Sequence, residues 1–185
     1  NNLIVRSQSS SNRGVSMGAN SVNTLTLKDM EALKEELPAI KAIAPRVSLS
    51  TQIIANGNNW LATVTGTTND YFDLGNWKFE NGRSFEEEEL DSGSRVAIIG
   101  KTVQKNLFDT DNPIDEVIRI NKVPFTVIGL LDAKGGTAWA DLDDTIIVPL
   151  KTAKQRLVAK KFPGDQIRSM TCLLYTSPSP RDTRE

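Results

Sequence analysis

The clearest pattern of hydrophobic and polar positions lies between residues 95 and 132. Residues 96–99 form a continuous apolar run, as expected of a strand that is covered on both faces. Val103 and Leu107 follow at the spacing of one helical face, so the pattern predicts a short helix over 101–108. The strand and the helix packed on it are the best-defined unit of the chain.

A hairpin is predicted directly after this helix. Residues 109–115 are rich in Asp, Asn and Pro, each of which favours a reversal of the chain. Two apolar runs follow, over 117–120 and 123–131, and Asn121-Lys122 separates them. Because Asn tolerates the left-handed conformation that a tight hairpin requires, the two runs are predicted to pair as antiparallel strands.

The N-terminal third predicts a strand, a helix and a second strand. Residues 3–5 are apolar, and 8–23 are rich in Ser, Asn and Gly, which is typical of a loop. Thr26 is the predicted N-cap of a helix that Pro38 ends, and residues 40–55 are extended. This order of elements is that of a split β-α-β unit.

The long extended segment over 40–55 carries two backbone signals of its own. Pro45 interrupts it, which indicates an edge or a bend because proline cannot donate to a strand ladder. Asn56-Gly57 follows, and this pair favours a two-residue hairpin loop. Residues 60–67 are therefore predicted to be the returning strand.

The other segments predict short elements. They are a helical turn over 69–74, an irregular segment over 78–85, a strand over 145–150, a helix over 151–159 and a final strand over 165–174. Helices and strands are mixed without a regular alternation, which favours an α+β fold.

The composition narrows the possible function classes. The 185 residues include 22 Lys plus Arg and 23 Asp plus Glu, so no charge excess indicates a nucleic-acid partner. The chain has no histidine, which excludes an imidazole base, a Ser-His-Asp arrangement and a His-containing zinc site. Cys172 is the only cysteine, which excludes an intrachain disulfide. We expect no cofactor and no metal.

The two ends of the chain are those expected of a fragment. The sequence begins on Asn1 without Met, and no run approaches the ~20 apolar residues of a membrane helix. From about Cys172 the sequence CLLYTSPSPRDTRE changes composition abruptly and is similar to translated sequencing adapter. Residues 174–185 are therefore predicted to be a non-native tail, and Cys172 is not expected to be a nucleophile.

Two groups of acidic residues are candidates for a cation site or for carboxylate chemistry. Residues 86–91 include four consecutive Glu but lack the alternating ligands of a calcium loop, so a solvated helical face is the preferred interpretation. Asp141, Asp143 and Asp144 end a Gly-rich loop over 133–144, where we expect a loop-bracing or capping role. The Gly-Gly pair in this loop lacks the Lys-Ser/Thr ending of a phosphate-binding loop.

Three tryptophans are candidates for contact with a ligand. Trp60, Trp77 and Trp139 all lie near predicted turns or loops. Exposed aromatic side chains in such positions would suit a carbohydrate- or peptide-binding module. Packing of each ring over the edge of a subdomain explains the same positions, and we prefer that interpretation.

An ordered set of phrases extends through nearly the whole chain. They are LTLKDMEALKEE (25–36), IKAIAPRVS (40–48), VTGTTNDYF (64–72), NGRSF (81–85), VAIIGKTVQKNLF (96–108), NPID (112–115), VPFTVIGLL (123–131) and DDTIIVPLKTAKQRL (143–157). In this order the set resembles the MacB-type periplasmic core domain of ABC-transporter permeases, within the FtsX/LolC-like permease superfamily. Asp115 and Asn121 stand where that family usually has Gly, and both residue types tolerate turn conformations.

The resemblance implies an α+β fold with two parts. A porter-like split β-α-β subdomain would be interrupted by an inserted β-rich, Sabre-like subdomain. Residues 1–67 would be the first half of the porter-like part, 68–160 the Sabre-like part, and 161–173 the start of the return. The porter-like part would thus be truncated before the tail over 174–185.

The resemblance also implies a function without catalysis. The domain would lie on the periplasmic side of an inner-membrane permease, transmit ATP-driven conformational change and dock partners for efflux or for lipoprotein or peptide export. Its partners would be a second permease subunit in a homodimer or heterodimer, an ATP-binding cassette domain or subunit, and a periplasmic adaptor with an outer-membrane channel or a lipoprotein substrate. The alternatives are a soluble carbohydrate- or peptide-binding module that uses the tryptophans, and a carboxylate-dependent hydrolase that uses the acids.

Overall fold

The computed structural model describes residues 2–6, 25–136, 141–158 and 167–174. The strands are β1 (Asn2–Arg6), β2 (Ile40–Ala55), β3 (Asn58–Thr67), β4 (Phe79–Gly82), β5 (Val96–Ile99), β6 (Val117–Ile120), β7 (Val123–Leu131), β8 (Thr145–Pro149) and β9 (Ser169–Leu174). The helices are α1 (Leu27–Glu36), α2 (Asp70–Leu74), α3 (Glu87–Ser92), α4 (Lys101–Leu107) and α5 (Leu150–Arg156). Within these ranges no helix is both long and apolar enough to cross a membrane.

The strand β2 is the longest of the described strands, and it changes partner part of the way along. Residues 40–46 pair with β9, and residues 47–55 pair with β3 on the other edge. Pro45 lies beside this change of partner, just before the β3 ladder begins at Val47. Because proline has no N–H to donate, a position outside the β3 ladder suits it.

We call β1, β9 and residues 40–46 of β2 the terminal sheet. The strand β9 lies between the other two and is antiparallel to both, so β1 and β2 are parallel to each other. The helix α1 connects them, which is the strand arrangement of a split β-α-β unit. At its start the Asp29 carboxylate accepts from Thr26 N at 2.9 Å, and the Thr26 hydroxyl accepts from Asp29 N at 3.3 Å. This reciprocal cap is the predicted helix start.

The remaining strands, except for β4, close into a ring that we call the barrel. Its order is β2 (residues 47–55), β3, β8, β5, β7 and β6, after which β6 returns to β2. The closing contact is short, because only Ile53 and Ile54 of β2 pair with β6. The pairs β3–β8 and β5–β7 are parallel and the other four are antiparallel. Sequence-distant strands therefore meet in a single closed structure.

The interior of the barrel is apolar. Alternate residues of its strands face inward and are almost fully buried: Ile53, Ala55, Ala62, Val64, Ala97, Ile99, Ile118, Ile120, Phe125, Val127, Ile146 and Val148. Val103 and Leu107 of α4 belong to the same cluster, so the helix packs on this core as its periodicity predicts. Strict alternation places one set of side chains inside and the other outside.

A second, smaller cluster covers the outer face of β5, β7 and β8. Its central residues are Phe72, Phe85, Ile98, Ile128, Leu131 and Ile147. The register between β5 and β7 shifts after Ala97, so that Ile98 pairs with Gly129. Ile128 is the extra residue of this β-bulge, and its side chain joins the outer cluster. The strand β5 is thus buried on both faces, as predicted.

Both predicted hairpins are confirmed. Asn56 and Gly57 have φ angles of 51° and 75° between β2 and β3, and Asn121 and Lys122 have φ angles of 52° and 68° between β6 and β7. Positive φ at both loop residues is the signature of the tight turn that matches the twist of paired strands. The predicted helical turn over 69–74 is also confirmed, as α2.

The prediction of an irregular segment over 78–85 is wrong for its central part. Residues 79–82 are β4, which pairs antiparallel with β7. Gly82 has a φ of 77°, and a side chain at this position would collide with the Ile128 carbonyl. Gly82 thus allows two backbones to approach closely, a requirement that a local pattern does not reveal. The predicted loop over 8–23 and residues 175–185 of the predicted tail lie outside the described residues. Leu174, the first residue of that predicted tail, belongs to β9 and pairs with Ile40.

The Lys122→Gly variant should be more stable than the natural chain. A lysine at a φ of 68° carries left-handed strain. Relief of ~1–2 kcal/mol of strain, less ~0.5–1 kcal/mol of glycine entropy, predicts a gain of up to about 1.5 kcal/mol. Urea unfolding would measure it. The control is Lys122→Ala, which keeps the strain and should not be stabilised; equal gains in both variants would contradict the argument.

Candidate functional site

The acidic loop between β7 and β8 is the first place to look for chemistry. The Asp143 carboxylate accepts hydrogen bonds from Lys134 N at 2.7 Å and from Gly135 N at 3.0 Å. The Asp143 residue is only 7% exposed. Both oxygens of its carboxylate therefore bond to the backbone of the loop and close it, which agrees with the loop or capping role expected from the sequence.

Asp141 lies at the surface of the same loop and has two different partners. Its carboxylate accepts from the Thr102 hydroxyl at 2.5 Å and from Asp143 N at 2.9 Å. These hydrogen bonds lower the pKa of Asp141 below its ordinary value, and the bond from Thr102 makes the largest contribution. The side chain thus links the loop to the first turn of α4.

Asp144, the third acid, accepts from the indole Nε1 of Trp60 at 2.8 Å. The three carboxylates accept hydrogen bonds from different donors: Asp143 from the loop backbone, Asp141 from Thr102 and Asp143 N, and Asp144 from Trp60. Among the described residues no group of three or more acids or cysteines is placed to hold a metal ion. Nothing in this geometry favours the predicted alternatives of a cation site or a carboxylate pair for hydrolysis.

The loop is packed tightly against the connection between β5 and α4. A side chain at Gly100 would collide with the Asp143 carbonyl. The same carbonyl accepts from Thr102 N at 3.2 Å, and Gly100 N donates to Thr145 O at 2.9 Å. The end of β5 is therefore covered by the acidic loop.

The tryptophans are placed by packing. Trp60 lies against the barrel core, and Trp77 lies against the outer cluster. Lys134 sits over the Trp77 ring with its ammonium 4.5 Å from the ring centroid. Trp139 lies outside the described residues. Trp60 and Trp77 are thus both partly buried by packing against these clusters.

The acidic run over 86–91 supplies the N-cap Glu86 and most of α3, so the predicted helical turn is present. Its Glu89 carboxylate makes an ion pair with the Arg83 guanidinium at 2.6 Å and accepts from Glu86 N at 2.9 Å. The Arg83 hydrogen bond is the main cause of a lowered pKa at Glu89. These contacts fix the start of the helix, while Glu87 and Glu88 remain exposed.

Cys172 is a packing residue in the centre of the terminal sheet. It pairs with Leu3 of β1 and Ile43 of β2, and it is fully buried. Burial raises the pKa of its thiol, so the nucleophilic thiolate is disfavoured. The sequence placed Cys172 at the start of an abrupt change in composition, whereas the structure makes it part of β9.

One exposed surface was not found from the sequence. Ile54, Leu61 and Val117 are 47%, 56% and 50% exposed on the outer face of the barrel. We call these three residues the outer patch. The register joins them into one surface, because Gln52 lies opposite Leu61 and Arg119 lies opposite Ile54. The sequence did contain a signal for this surface. Each patch residue is next to an apolar residue that faces the core, and two consecutive apolar residues break the apolar–polar alternation expected of a strand with one exposed face.

The surroundings of the outer patch are mostly uncharged. The same strand face carries the Ser50 and Thr63 hydroxyls, which are 3.5 Å apart, together with Asn59. Arg119 supplies a positive charge. Exposed apolar side chains within a polar rim are typical of surfaces that contact proteins.

The Thr102→Val variant should raise the pKa of Asp141. The pKa of Asp141 is lower in the folded chain than in the unfolded chain. The hydrogen bond from Thr102 therefore stabilises the fold at pH values above the unfolded-state pKa. That stabilisation is lost as pH falls through the folded pKa. A carboxyl carbon NMR titration would measure the shift. Thr126→Val is the matched control, because Thr126 lies in the half of β7 away from the loop. An unchanged Asp141 pKa in Thr102→Val would contradict the assignment.

Comparison with known proteins identifies the family. The family model described as "MacB-like periplasmic core domain" matches residues 1–182. The match overlaps the segment 174–185, whose non-native origin stays a prediction.

Two curated relatives carry the name "Macrolide export ATP-binding/permease protein MacB". The one from Syntrophobacter fumaroxidans is 36% identical over 151 residues, which are 80% of this chain and 21% of that protein. The one from Chlorobium luteolum is 35% identical over 162 residues, which are 87% of this chain and 24% of that protein. The chain thus spans about a fifth to a quarter of the length of these relatives.

Two solved structures share the fold. The periplasmic region of MacB from Actinobacillus actinomycetemcomitans superposes with a TM-score of 0.74 at 21% identity, over 96% of this chain and 76% of that chain. The extracellular domain of YknZ, a noncanonic ABC-type transporter from Gram-positive bacteria, gives a TM-score of 0.75 at 18% identity, over 96% and 85%. With a family model that covers almost every residue, and a fold shared with solved domains of the same kind, this chain belongs to the family of MacB-like periplasmic core domains.

Proposed function

We propose that this chain is the non-catalytic, extracytoplasmic domain of an ABC transporter permease in the inner membrane. It transmits ATP-driven conformational change and docks a partner protein for efflux or for lipoprotein or peptide export. Family membership supports the kind of domain, and the names of the curated relatives support a permease with an ATP-binding cassette domain or subunit. Hydrolysis of ATP belongs to that separate part, and the parent permease acts as a homodimer or heterodimer.

The observation that carries the proposal is the path of β2. A single strand of 16 residues belongs to the terminal sheet at one end and to the barrel at the other. Strands are stiff along their length and are held by ladders on both edges here. A displacement of the terminal sheet therefore reaches the barrel through continuous backbone.

The proposed division into subdomains follows the same strand. The terminal sheet with α1 corresponds to the porter-like part, and the barrel corresponds to the inserted Sabre-like part. The sequence places the first boundary at residue 67, whereas residues 47–67 supply two of the six barrel strands. We propose that the division runs through β2 itself, near Val47.

Docking is assigned to the outer patch, with a periplasmic adaptor protein as the partner. Ile54 and Leu61 lie on neighbouring strands, and Val117 extends the surface along β6. Contact with a folded protein would remove these side chains from water, at roughly 25 cal/mol per Å² of apolar area. An outer-membrane channel or a lipoprotein would then be engaged by the assembled complex.

The gene around this segment provides the first test. A permease of this kind should encode a run of ~20 apolar residues before the segment that begins with Asn1 and further such runs after the domain. Sequencing of the flanking DNA measures this directly. A signal peptide in front and a stop codon behind, with no apolar run, would overturn the membrane assignment.

The Leu61→Glu variant tests docking. In the full-length permease it should weaken binding of the adaptor encoded beside the parent gene by about tenfold or more, because a buried unpaired charge costs more than ~1.4 kcal/mol. Surface plasmon resonance with the purified adaptor would measure the dissociation constant.

The matched control is Leu142→Glu, since Leu142 is also exposed, by 43%, and lies in the acidic loop rather than on the patch. It should bind the adaptor with unchanged affinity. Equal affinity of Leu61→Glu and the natural protein would remove the outer patch from the interface.

A further inference from the structure

The place where β2 passes from the terminal sheet into the barrel is held by an unusual set of contacts. We call Pro45, Arg46 and Val47 of β2, with Gly66 and Thr67 of β3, the β2 junction. The β2–β3 ladder has its last residue pair here, Val47 with Gly66. Backbone pairing between β2 and β3 stops at this point, so other contacts must hold the two strands together beyond it.

The Thr67 side chain connects β3 to β2 just beyond the last backbone pair of the ladder. Its hydroxyl donates to the Pro45 carbonyl at 2.8 Å, and Thr67 is fully buried. Loss of this hydroxyl would leave a buried carbonyl without its donor, which is costly because water cannot replace it. The bond therefore ties the end of β3 to the part of β2 that belongs to the terminal sheet.

Gly66 closes the junction from the barrel side. A side chain at this position would collide with Ala153 of α5, and it would lie 3.0 Å from the Val47 side chain. The helix α5, the strand β3 and the strand β2 are thus in direct contact, with no room for a methyl group. Close packing of this kind resists bending, because any movement must displace backbone.

The opposite edge of β2 is held at the same level. The Arg46 carbonyl accepts from Arg168 N at 2.9 Å, and Arg46 pairs with Ser169 of β9. The Arg46 guanidinium lies over the Tyr71 ring of α2, 5.5 Å from its centroid. Because α2 follows β3 directly in the chain, this contact ties the barrel side to the terminal sheet a second time.

We propose that the β2 junction is a rigid clamp that makes the terminal sheet and the barrel one mechanical body, with the Thr67 hydroxyl as its central contact. The clamp prevents the barrel from hinging about β2. Its use in transport rests on the proposed function, whereas the rigidity itself is a property of this chain.

Distance measurement between spin labels tests the clamp in the whole 185-residue chain. Labels at Lys28→Cys on α1 and Lys105→Cys on α4 report the separation of the terminal sheet and the barrel. Both lysines are exposed, and the natural Cys172 is buried, so labelling is selective. Double electron–electron resonance should give one narrow distance in the natural background. In the Thr67→Val variant the distance distribution should broaden, so that a single narrow distance is no longer observed.

Two controls separate a loose junction from general loss of structure. Thr67→Ser keeps the hydroxyl and should keep the narrow distance. A second label pair within the barrel, Leu61→Cys with Lys105→Cys, should stay narrow in Thr67→Val.

Three outcomes would overturn the clamp: a broad distribution in the natural background, no change in Thr67→Val, or broadening of the barrel pair as well. If Thr67→Val does not fold, the natural background and Thr67→Ser still decide the question. None of these results depends on a membrane, an ATPase or an adaptor, so failure of the clamp and failure of the proposed function are distinguishable.

Discussion

The rest of the structure depends on one strand that is shared by two sheets. Residues 40–46 of β2 need β9 beside them, and residues 47–55 need β3 and, at the end, β6. β9 comes from the far end of the described chain, so the terminal sheet cannot form before most of the sequence has been made. This long-range dependence ties the stability of the two parts together, since the loss of either partner leaves half of β2 without a ladder.

The polar groups that looked reactive in the sequence are engaged in holding this architecture together. Asp143 closes the loop between β7 and β8, Asp141 joins that loop to α4, and Asp144 orients Trp60. Buried or half-buried polar groups require partners, and a connection between barrel strands supplies several unpaired N–H groups that a carboxylate can satisfy. The acids are therefore explained by the demands of the fold, and the surface with no such explanation is the apolar outer patch.

Family membership and geometry contribute different parts of the functional proposal. The family model and the curated relatives identify the kind of domain, but these relatives are several times longer than this chain. The structure adds a shared strand and an exposed surface: β2 connects the terminal sheet to the barrel, and Ile54, Leu61 and Val117 expose apolar area on the outer face of the barrel. The proposed function needs a domain that moves or binds, and these two features serve those ends.

The sequence by itself determined the local elements. The periodicity of residues 96–108, the cap at Thr26 and the turn residues Asn56-Gly57 and Asn121-Lys122 all act over a few residues, where backbone sterics and side-chain spacing decide the outcome. The order of short phrases also indicated the family, because spacing along a chain is itself a sequence property. Only the tertiary structure decided which strands outside the two hairpins are neighbours, that six strands close into a barrel, and that residues 79–82 form β4. The physical reason is that an apolar pattern indicates that a strand face must be buried but not which strand buries it. That choice, and the exposure of Leu61, depend on chain segments far away in sequence.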